Sequence, residues 1–128
     1  MSRNKRIHVS LHSQKLVAYE GPTKVFEFDC VTGDKDHPTD IGTFQVFQKD
    51  RTHFSSKYKV QMDYALFFTR DGKAIHKSHA VGVGSYLKYL GIDSIGSHGC
   101  VRLTEEDAKA LFEWTPMHTT VVVSLGGS

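Results

Sequence analysis

The heptapeptide Ser97-His98-Gly99-Cys100-Val101-Arg102-Leu103 brings a thiol, an imidazole and a guanidinium within five consecutive residues. In an extended backbone successive side chains alternate between two faces, so His98, Cys100 and Arg102 share one face. Val101 and Leu103 point to the other face, and their apolar side chains predict contact with a core. We therefore predict a strand that presents reactive groups on one side and is anchored by the other.

Upstream of this heptapeptide the sequence is typical of short strands separated by turns. Asp71-Gly72 is a strong hairpin signal, and it places His76 at the end of the following strand. The first three predicted strands are close together in sequence and form a meander. Alternating or apolar runs bounded by turn residues predict strands at 7–12, 15–19, 24–31, 43–48, 62–70 and 73–76.

Downstream of the heptapeptide a helix and a final strand are predicted. Thr104 is a helix N-cap followed by three acidic residues, and Pro116 ends the helical pattern near Trp114. The valine-rich segment 119–125 predicts a closing central strand, and 85–91 predicts a short helical segment in a loop. The expected fold class is mainly β, a β-sandwich with one α-helix packed beside it.

Composition limits the classes of protein that fit. The 128 residues predict a single domain, 1–128, and a net charge of +2 is too small for a nucleic-acid binder. No apolar run reaches the roughly 18 residues of a membrane span. Apolar and polar residues alternate in 7–12, which does not fit the continuous apolar region of a signal peptide, so no signal peptide is visible. Either the protein stays in the cytoplasm, or an export segment was removed before this chain was made.

The two cysteines, Cys30 and Cys100, have different surroundings. Cys30 follows an alternating strand pattern and is interpreted as a core thiol. Cys100 has His98 on its own face, and either His76 or His79 can approach from an adjacent strand end; imidazoles and cations favour a thiolate. The backbone N–H groups of Gly99 and Cys100 could stabilise an oxyanion. This pattern fits acyl transfer through a thioester.

A zinc site built from His76, His79, His98 and Cys100 is the alternative from a different class. Imidazole and thiolate are zinc ligands, but the spacing is poor because residues i and i+3 diverge where a strand runs into a loop. The preferred interpretation includes no metal and no cofactor. A bare His-Gly-Cys tripeptide is weak evidence for catalysis by itself, so its context matters.

The heptapeptide resembles the signature of the L,D-transpeptidase catalytic domain, also called the YkuD domain. The resemblance covers nearly the whole chain and implies that the sheets of the sandwich are mixed. Other matching segments follow in the family's order: the opening strands 7–20, Val31-Thr32-Gly33, Pro38-Thr39, Ile41-Gly42-Thr43-Phe44, Ala74-Ile75-His76, the helix from Thr104 and Val121-Val122-Val123.

The resemblance implies a cysteine-dependent L,D-transpeptidase that acts on peptidoglycan stem peptides in the bacterial cell envelope or periplasm. Cys100 would attack the carbonyl between the third and fourth stem residues and release the terminal D-alanine. An amine of a second stem would resolve the thioester and form a 3–3 cross-link, whereas water would make the enzyme an L,D-carboxypeptidase. Such domains are also acylated by carbapenems, so a covalent carbapenem ligand is expected.

The resemblance also assigns roles to individual residues. The base is an upstream histidine, His76 by local context, while His98 and Gly99 support catalysis. Arg102 would contact the donor stem. Ser97 and His79 are further expected substrate-binding residues. Tyr86 belongs to the extra residues by which this chain departs from the family pattern, and we expect it to bind substrate in a lid or beside the groove.

The sequence leaves three points open: the identity of the base, a non-catalytic alternative and the oligomeric state. Twenty residues separate His76 from Ser97 and seventeen separate His79 from it, and the shorter interval is closer to the family's usual one. A strand end holds His76 more firmly, which favours it as the base. A non-catalytic wall-binding module that keeps the fold is a further alternative, and the oligomeric state is not determined by the sequence.

Overall fold

The computed structural model describes residues 4–33, 38–56, 60–77 and 99–126. The helix of these ranges is α1 (Glu105–Trp114). The strands, in chain order, are β1 (Lys5–Ser10), β2 (Lys15–Glu20), β3 (Thr23–Asp29), β4 (Gly42–Gln45), β5 (Gln48–Asp50), β6 (Phe54–Ser55), β7 (Val60–Gln61), β8 (Ala65–Phe67), β9 (Ala74–Lys77), β10 (Val101–Leu103) and β11 (Thr120–Ser124).

The first sheet has the strand order β3-β2-β1-β11-β4. Strands β1, β2 and β3 form the predicted antiparallel meander. The last strand, β11, lies between β1 and β4 and runs parallel to β1, with Ile7 opposite Val121. The prediction of a closing central strand is therefore confirmed, and the sheet is mixed.

The second sheet has the order β10-β9-β8-β5, and a separate hairpin is formed by β6 and β7. Strands β9 and β10 are parallel, with Val101 opposite Ile75, whereas the other pairs are antiparallel. The Asp71-Gly72 turn joins β8 to β9 as predicted, and Gly72 has a φ of 90°. All three residues of β8 are buried, which shows that both faces of the sheet are covered at this strand.

The prediction of one strand at 43–48 is wrong, because the chain changes sheets at Val46. The Val46 N–H donates to Thr119 O at 3.0 Å, beside the first sheet, whereas the Phe47 N–H donates to Phe67 O at 3.0 Å in the second. Period-2 alternation continues through such a crossing, so the pattern alone does not reveal it. The predicted strand 62–70 is also shorter than expected, since Tyr64 has a φ of 54° just before β8.

The start of α1 follows the sequence prediction. The Thr104 hydroxyl accepts a hydrogen bond from the Asp107 N–H at 3.2 Å, and three acidic residues occupy the first turn. These groups complement the free N–H groups and the positive end of the helix dipole. The helix ends at Trp114, two residues before Pro116.

Lysines from two strands cap the other end of α1. Lys49 Nζ donates to Phe112 O at 2.8 Å and to Thr115 O at 2.7 Å, and Lys5 Nζ donates to Trp114 O at 2.8 Å. The last turn of the helix has no basic residue of its own. Distant side chains therefore satisfy carbonyl groups that have no partner within the helix.

The main core lies between the two sheets and α1. It combines Ile7, Leu16 and Val121 of the first sheet with Ile75 of the second and Leu111 of the helix. The second sheet also carries a smaller apolar cluster, formed by Met62, Ala65, Phe67, Ala74 and Cys100. This arrangement confirms the mainly β fold of two mixed sheets with one helix.

The short helical segment predicted at 85–91 lies outside the described residues. None of the helical structure in the described ranges is long and apolar enough to cross a membrane.

Candidate active site

One face of β10 anchors the strand as alternation predicts. Val101 and Leu103 are fully buried in the main core. Cys100, just before the strand, packs in the smaller cluster, and Arg102 is half-buried. The anchoring face is therefore confirmed, but the thiol is only 4% exposed and not open to solvent as a polar strand face would suggest.

The parallel strand β9 brings His76 to this site. His76 lies opposite Arg102 in the register, and Ile75 lies opposite Val101. Cys100 precedes Arg102 by two residues, so it is a diagonal neighbour of His76 on the same face. Residues far apart in sequence thus become neighbours through the pairing of two short parallel strands.

His76 is held in one orientation and kept neutral. Its Nδ1 atom lies 2.8 Å from Lys77 O, which accepts hydrogen bonds only, so Nδ1 carries the proton and Nε2 carries the lone pair. The imidazole is 2% exposed. Burial, with a smaller effect of the Arg102 charge, lowers the pKa of His76 to about 4.

Burial also raises the pKa of the Cys100 thiol above its ordinary value. A hydrogen bond with the backbone of Ala74 and the charges of Lys73 and Arg102 oppose this effect. A raised thiol pKa and a lowered imidazole pKa favour a neutral pair at rest over a thiolate and an imidazolium. Burial, with a smaller contribution from the Asp29 charge, raises the pKa of Cys30 to about 12 against the opposing charge of Lys15, in agreement with a core thiol.

Gly99 has a backbone conformation that other residues rarely adopt, and the end of the Lys73 side chain lies against it. Its φ is 101°, and a Cβ added there would lie 2.5 Å from Lys73 Cε. The Lys73 side chain therefore lies directly on the backbone that precedes Cys100. Its Nζ atom is 3.0 Å from Asp40 Oδ2 and 3.4 Å from Asp71 Oδ2.

The sequence pattern does not identify Lys73, Asp40 or Asp71 as site residues. The hairpin signal at Asp71-Gly72 indicates that Lys73 starts the strand carrying His76, which is the only hint in the sequence. Nothing in the pattern indicates that Asp40, 33 residues earlier, reaches the same ammonium group.

The backbone of Arg102 is fixed from its other side by the segment after β3. Val31 and Arg102 exchange two hydrogen bonds, at 3.0 and 2.9 Å. The next residue, Thr32, is braced by the buried Gln14, whose Oε1 accepts from the Thr32 N–H at 3.1 Å and whose Nε2 donates to the Thr32 hydroxyl at 2.7 Å. β10 is therefore held between β9 and this buried polar network.

The structure locates only part of the predicted site. It places Cys100, His76, Gly99 and Arg102 together, whereas Ser97, His98, His79 and Tyr86 lie outside the described residues. Across 4–33, 38–56, 60–77 and 99–126, no group of three or more His, Cys, Asp or Glu side chains is arranged to hold a metal ion. Two of the four ligands in the zinc alternative, His79 and His98, fall outside those ranges.

Comparisons with known proteins agree on one family. The family model described as the L,D-transpeptidase catalytic domain, YkuD, matches residues 4–123. The chain is similar to the putative L,D-transpeptidase YciB of Bacillus subtilis (strain 168), with 30% identity over 125 residues that cover 92% of this chain and 64% of that protein. The chain therefore belongs to the L,D-transpeptidase catalytic domain family.

Solved structures show the same fold. The crystal structure of an L,D-transpeptidase (Yku) from Stackebrandtia nassauensis has a TM-score of 0.80 and 33% identity, covering 94% of this chain and 55% of that one. The Ldtfm–avibactam carbamoyl enzyme has a TM-score of 0.81 and 27% identity, covering 98% of this chain and 50% of that one. The chain thus spans about half to two thirds of the length of these relatives.

Proposed function

We propose that this chain is a cysteine-dependent L,D-transpeptidase that acts on peptidoglycan stem peptides in the bacterial cell envelope. The observation that carries the proposal is the β9–β10 register, which sets His76 opposite Arg102 and diagonal to Cys100 in a member of this family. A thiol beside an oriented imidazole is the arrangement that nucleophilic catalysis requires.

In the proposed first step the Cys100 sulfur attacks the carbonyl between the third and fourth stem residues. His76 Nε2 takes the thiol proton as the S–C bond forms, since the resting pair is neutral. The negative charge that develops on the sulfur stabilises the buried imidazolium formed in the same step. The N–H groups of Gly99 and Cys100 stabilise the tetrahedral oxyanion.

Collapse of the tetrahedral intermediate breaks the amide bond. His76 returns its proton to the departing amine, which leaves as D-alanine, and the donor stem remains as a thioester on Cys100. An acceptor amine then attacks the thioester, restoring the thiol and forming a 3–3 cross-link. Water in place of the amine gives a tripeptide, which is the L,D-carboxypeptidase outcome. Arg102 orients the donor stem through its carboxylate or backbone.

The remaining residues of the predicted site lie outside the described ranges, and their roles extend the proposal. His98 supports catalysis, and Ser97, His79 and Tyr86 contact the substrate. His79 is the competing candidate for the base, and single substitutions of His76 and His79 distinguish the two. A relative captured as an avibactam carbamoyl enzyme supports covalent capture of this chain by inhibitors that carbamoylate or acylate a nucleophile, and carbapenems are expected to acylate Cys100.

Intact-mass measurement after incubation with a carbapenem tests the nucleophile. We expect one adduct on the wild type and on Cys30→Ser, because Cys30 is fully buried in the main core, and none on Cys100→Ser. An adduct that survives in Cys100→Ser, or no adduct on the folded wild type, would contradict the proposal.

The base is tested by the rate of the same acylation. His76→Ala is expected to slow it by about 10² or more, the usual contribution of general-base catalysis, and His79→Ala by much less. The reverse order would assign the role to His79.

Product analysis with a tetrapeptide muropeptide separates the possible activities. A dimer identifies the transpeptidase and a tripeptide the carboxypeptidase. No reaction would support a non-catalytic wall-binding module. About one zinc per chain by elemental analysis, with loss of stability on chelation, would support the zinc alternative.

A further inference from the structure

The Lys73 side chain lies beside the Cys100 thiol and is held in place by two carboxylates. Lys73 follows the Asp71-Gly72 turn, and its side chain is only 13% exposed. Its Nζ donates to Asp40 Oδ2 at 3.0 Å and lies 3.4 Å from Asp71 Oδ2. Two carboxylates from separate segments therefore fix one ammonium group.

The aliphatic part of Lys73 covers the residue that precedes the nucleophile. A Cβ placed on Gly99 would lie 2.5 Å from Cε, 2.9 Å from Cδ and 3.3 Å from Nζ of Lys73. The methylene groups thus fill the space beside the Gly99 backbone, and a larger residue there would have to displace the end of the Lys73 side chain. The hairpin itself is braced, since the Lys73 N–H donates to the Thr69 hydroxyl at 3.0 Å and this hydroxyl in turn donates to Asp71.

We propose that Lys73 is a positioning residue for the nucleophile. Its side chain, fixed between Asp40 and Asp71, packs against Gly99 and places a positive charge beside the Cys100 thiol. The inference deepens the proposed function and rests on Cys100 as the nucleophile. It adds a residue outside the heptapeptide to the machinery that orients and activates the thiol.

The charges around Cys100 support this role. Among the described residues Lys73 and Arg102 favour the thiolate, Asp71 opposes it, and the backbone of Ala74 hydrogen-bonds to the sulfur. His76 shares the face but is uncharged at neutral pH, because burial lowers its pKa to about 4. The charges of Lys73 and Asp71 therefore act on the thiol in opposite directions, which gives the proposal a signed test.

The pH dependence of Cys100 alkylation by iodoacetamide, followed by peptide mass mapping, measures the thiol without a substrate. Lys73→Met keeps the packing on Gly99 but loses the charge. We expect it to raise the midpoint of the alkylation profile by about 0.5 pH unit or more, and to slow alkylation about threefold below the midpoint. Asp71→Asn keeps an oxygen for the Thr69 hydroxyl and is expected to lower the midpoint.

Two further variants serve as controls. Lys73→Arg retains the charge and is expected to restore the wild-type midpoint to within a few tenths of a pH unit. Lys24→Met removes an exposed lysine that pairs with Glu27 and is expected to leave the profile unchanged. Thermal unfolding of each variant shows whether it is folded, and Asp71→Asn provides the test if Lys73→Met is not.

Unchanged midpoints in Lys73→Met and Asp71→Asn, or shifts of the same sign in both, would overturn the inference. The outcome is independent of the proposed function, because iodoacetamide reports the thiol whether or not a carbapenem acylates it. Absence of a carbapenem adduct on the folded wild type would contradict the transpeptidase proposal. Opposite midpoint shifts measured in that same protein would still uphold the electrostatic role of Lys73.

Discussion

Acid is expected to destabilise this fold in part through the buried imidazole of His76. Burial lowers its pKa to about 4 from an ordinary value of 6.5, which is the reference for the unfolded chain. Between these two values the unfolded chain takes up a proton that the folded chain excludes. The contribution of His76 to stability is therefore fully present above pH 6.5 and is lost as the pH falls towards 4.

The size of the effect follows from the two pKa values. At pH 5.0 about 97% of His76 side chains are protonated in the unfolded state and about 10% in the folded state. Linkage then lowers the free energy of unfolding by about 2 kcal/mol relative to pH 7.5, with a limit of about 3 kcal/mol below pH 4. At pH 5.0 most unfolded-state carboxylates are still ionised, so the histidine effect is separated from general acid unfolding.

Urea unfolding at pH 7.5 and 5.0 measures this difference. His76→Gln stays neutral at both pH values, and its amide can still donate to Lys77 O. We expect the wild type to lose about 2 kcal/mol more than this variant between the two pH values. His12→Gln, at an exposed position, controls for the loss of a histidine and should behave as the wild type. If the wild type and His76→Gln lost the same free energy of unfolding between these pH values, His76 would not be the source of the pH dependence.

Three further substitutions test the local structure. Thr104→Ala should lower the free energy of unfolding by about 1 kcal/mol in urea titrations, whereas Thr104→Ser, which keeps the capping oxygen, should not. Lys49→Met should cost about 1–2 kcal/mol, because it removes two hydrogen bonds from the end of α1; Lys24→Met, the exposed control, should leave the unfolding midpoint unchanged. Gly99→Ala should lower the free energy of unfolding by about 1–3 kcal/mol, measured in the same way. Adding Lys73→Ala should not restore the stability, because the positive φ remains strained. Full restoration would assign the cost to the side-chain contact alone.

Much of the local structure could be predicted from the sequence because it depends on near neighbours. The meander, the Asp71-Gly72 turn and the Thr104 cap all follow from the periods and turn residues of short segments. The anchoring of β10 by Val101 and Leu103 follows from strand alternation in the same way. The pattern does not predict the crossing at Val46, because the alternation of side chains is the same whichever sheet a strand joins.

The candidate site is less predictable from the sequence, because it depends on contacts between distant segments. The sequence establishes that Cys100 follows His98 and Gly99 and precedes an anchored strand. The fold makes His76 the diagonal neighbour of this thiol, buries both groups and brings Lys73 against Gly99, and none of these contacts can be read from the sequence pattern. The physical reason is that pairing between distant strands sets burial and charge contacts, and these long-range contacts shift the pKa values on which the chemistry depends.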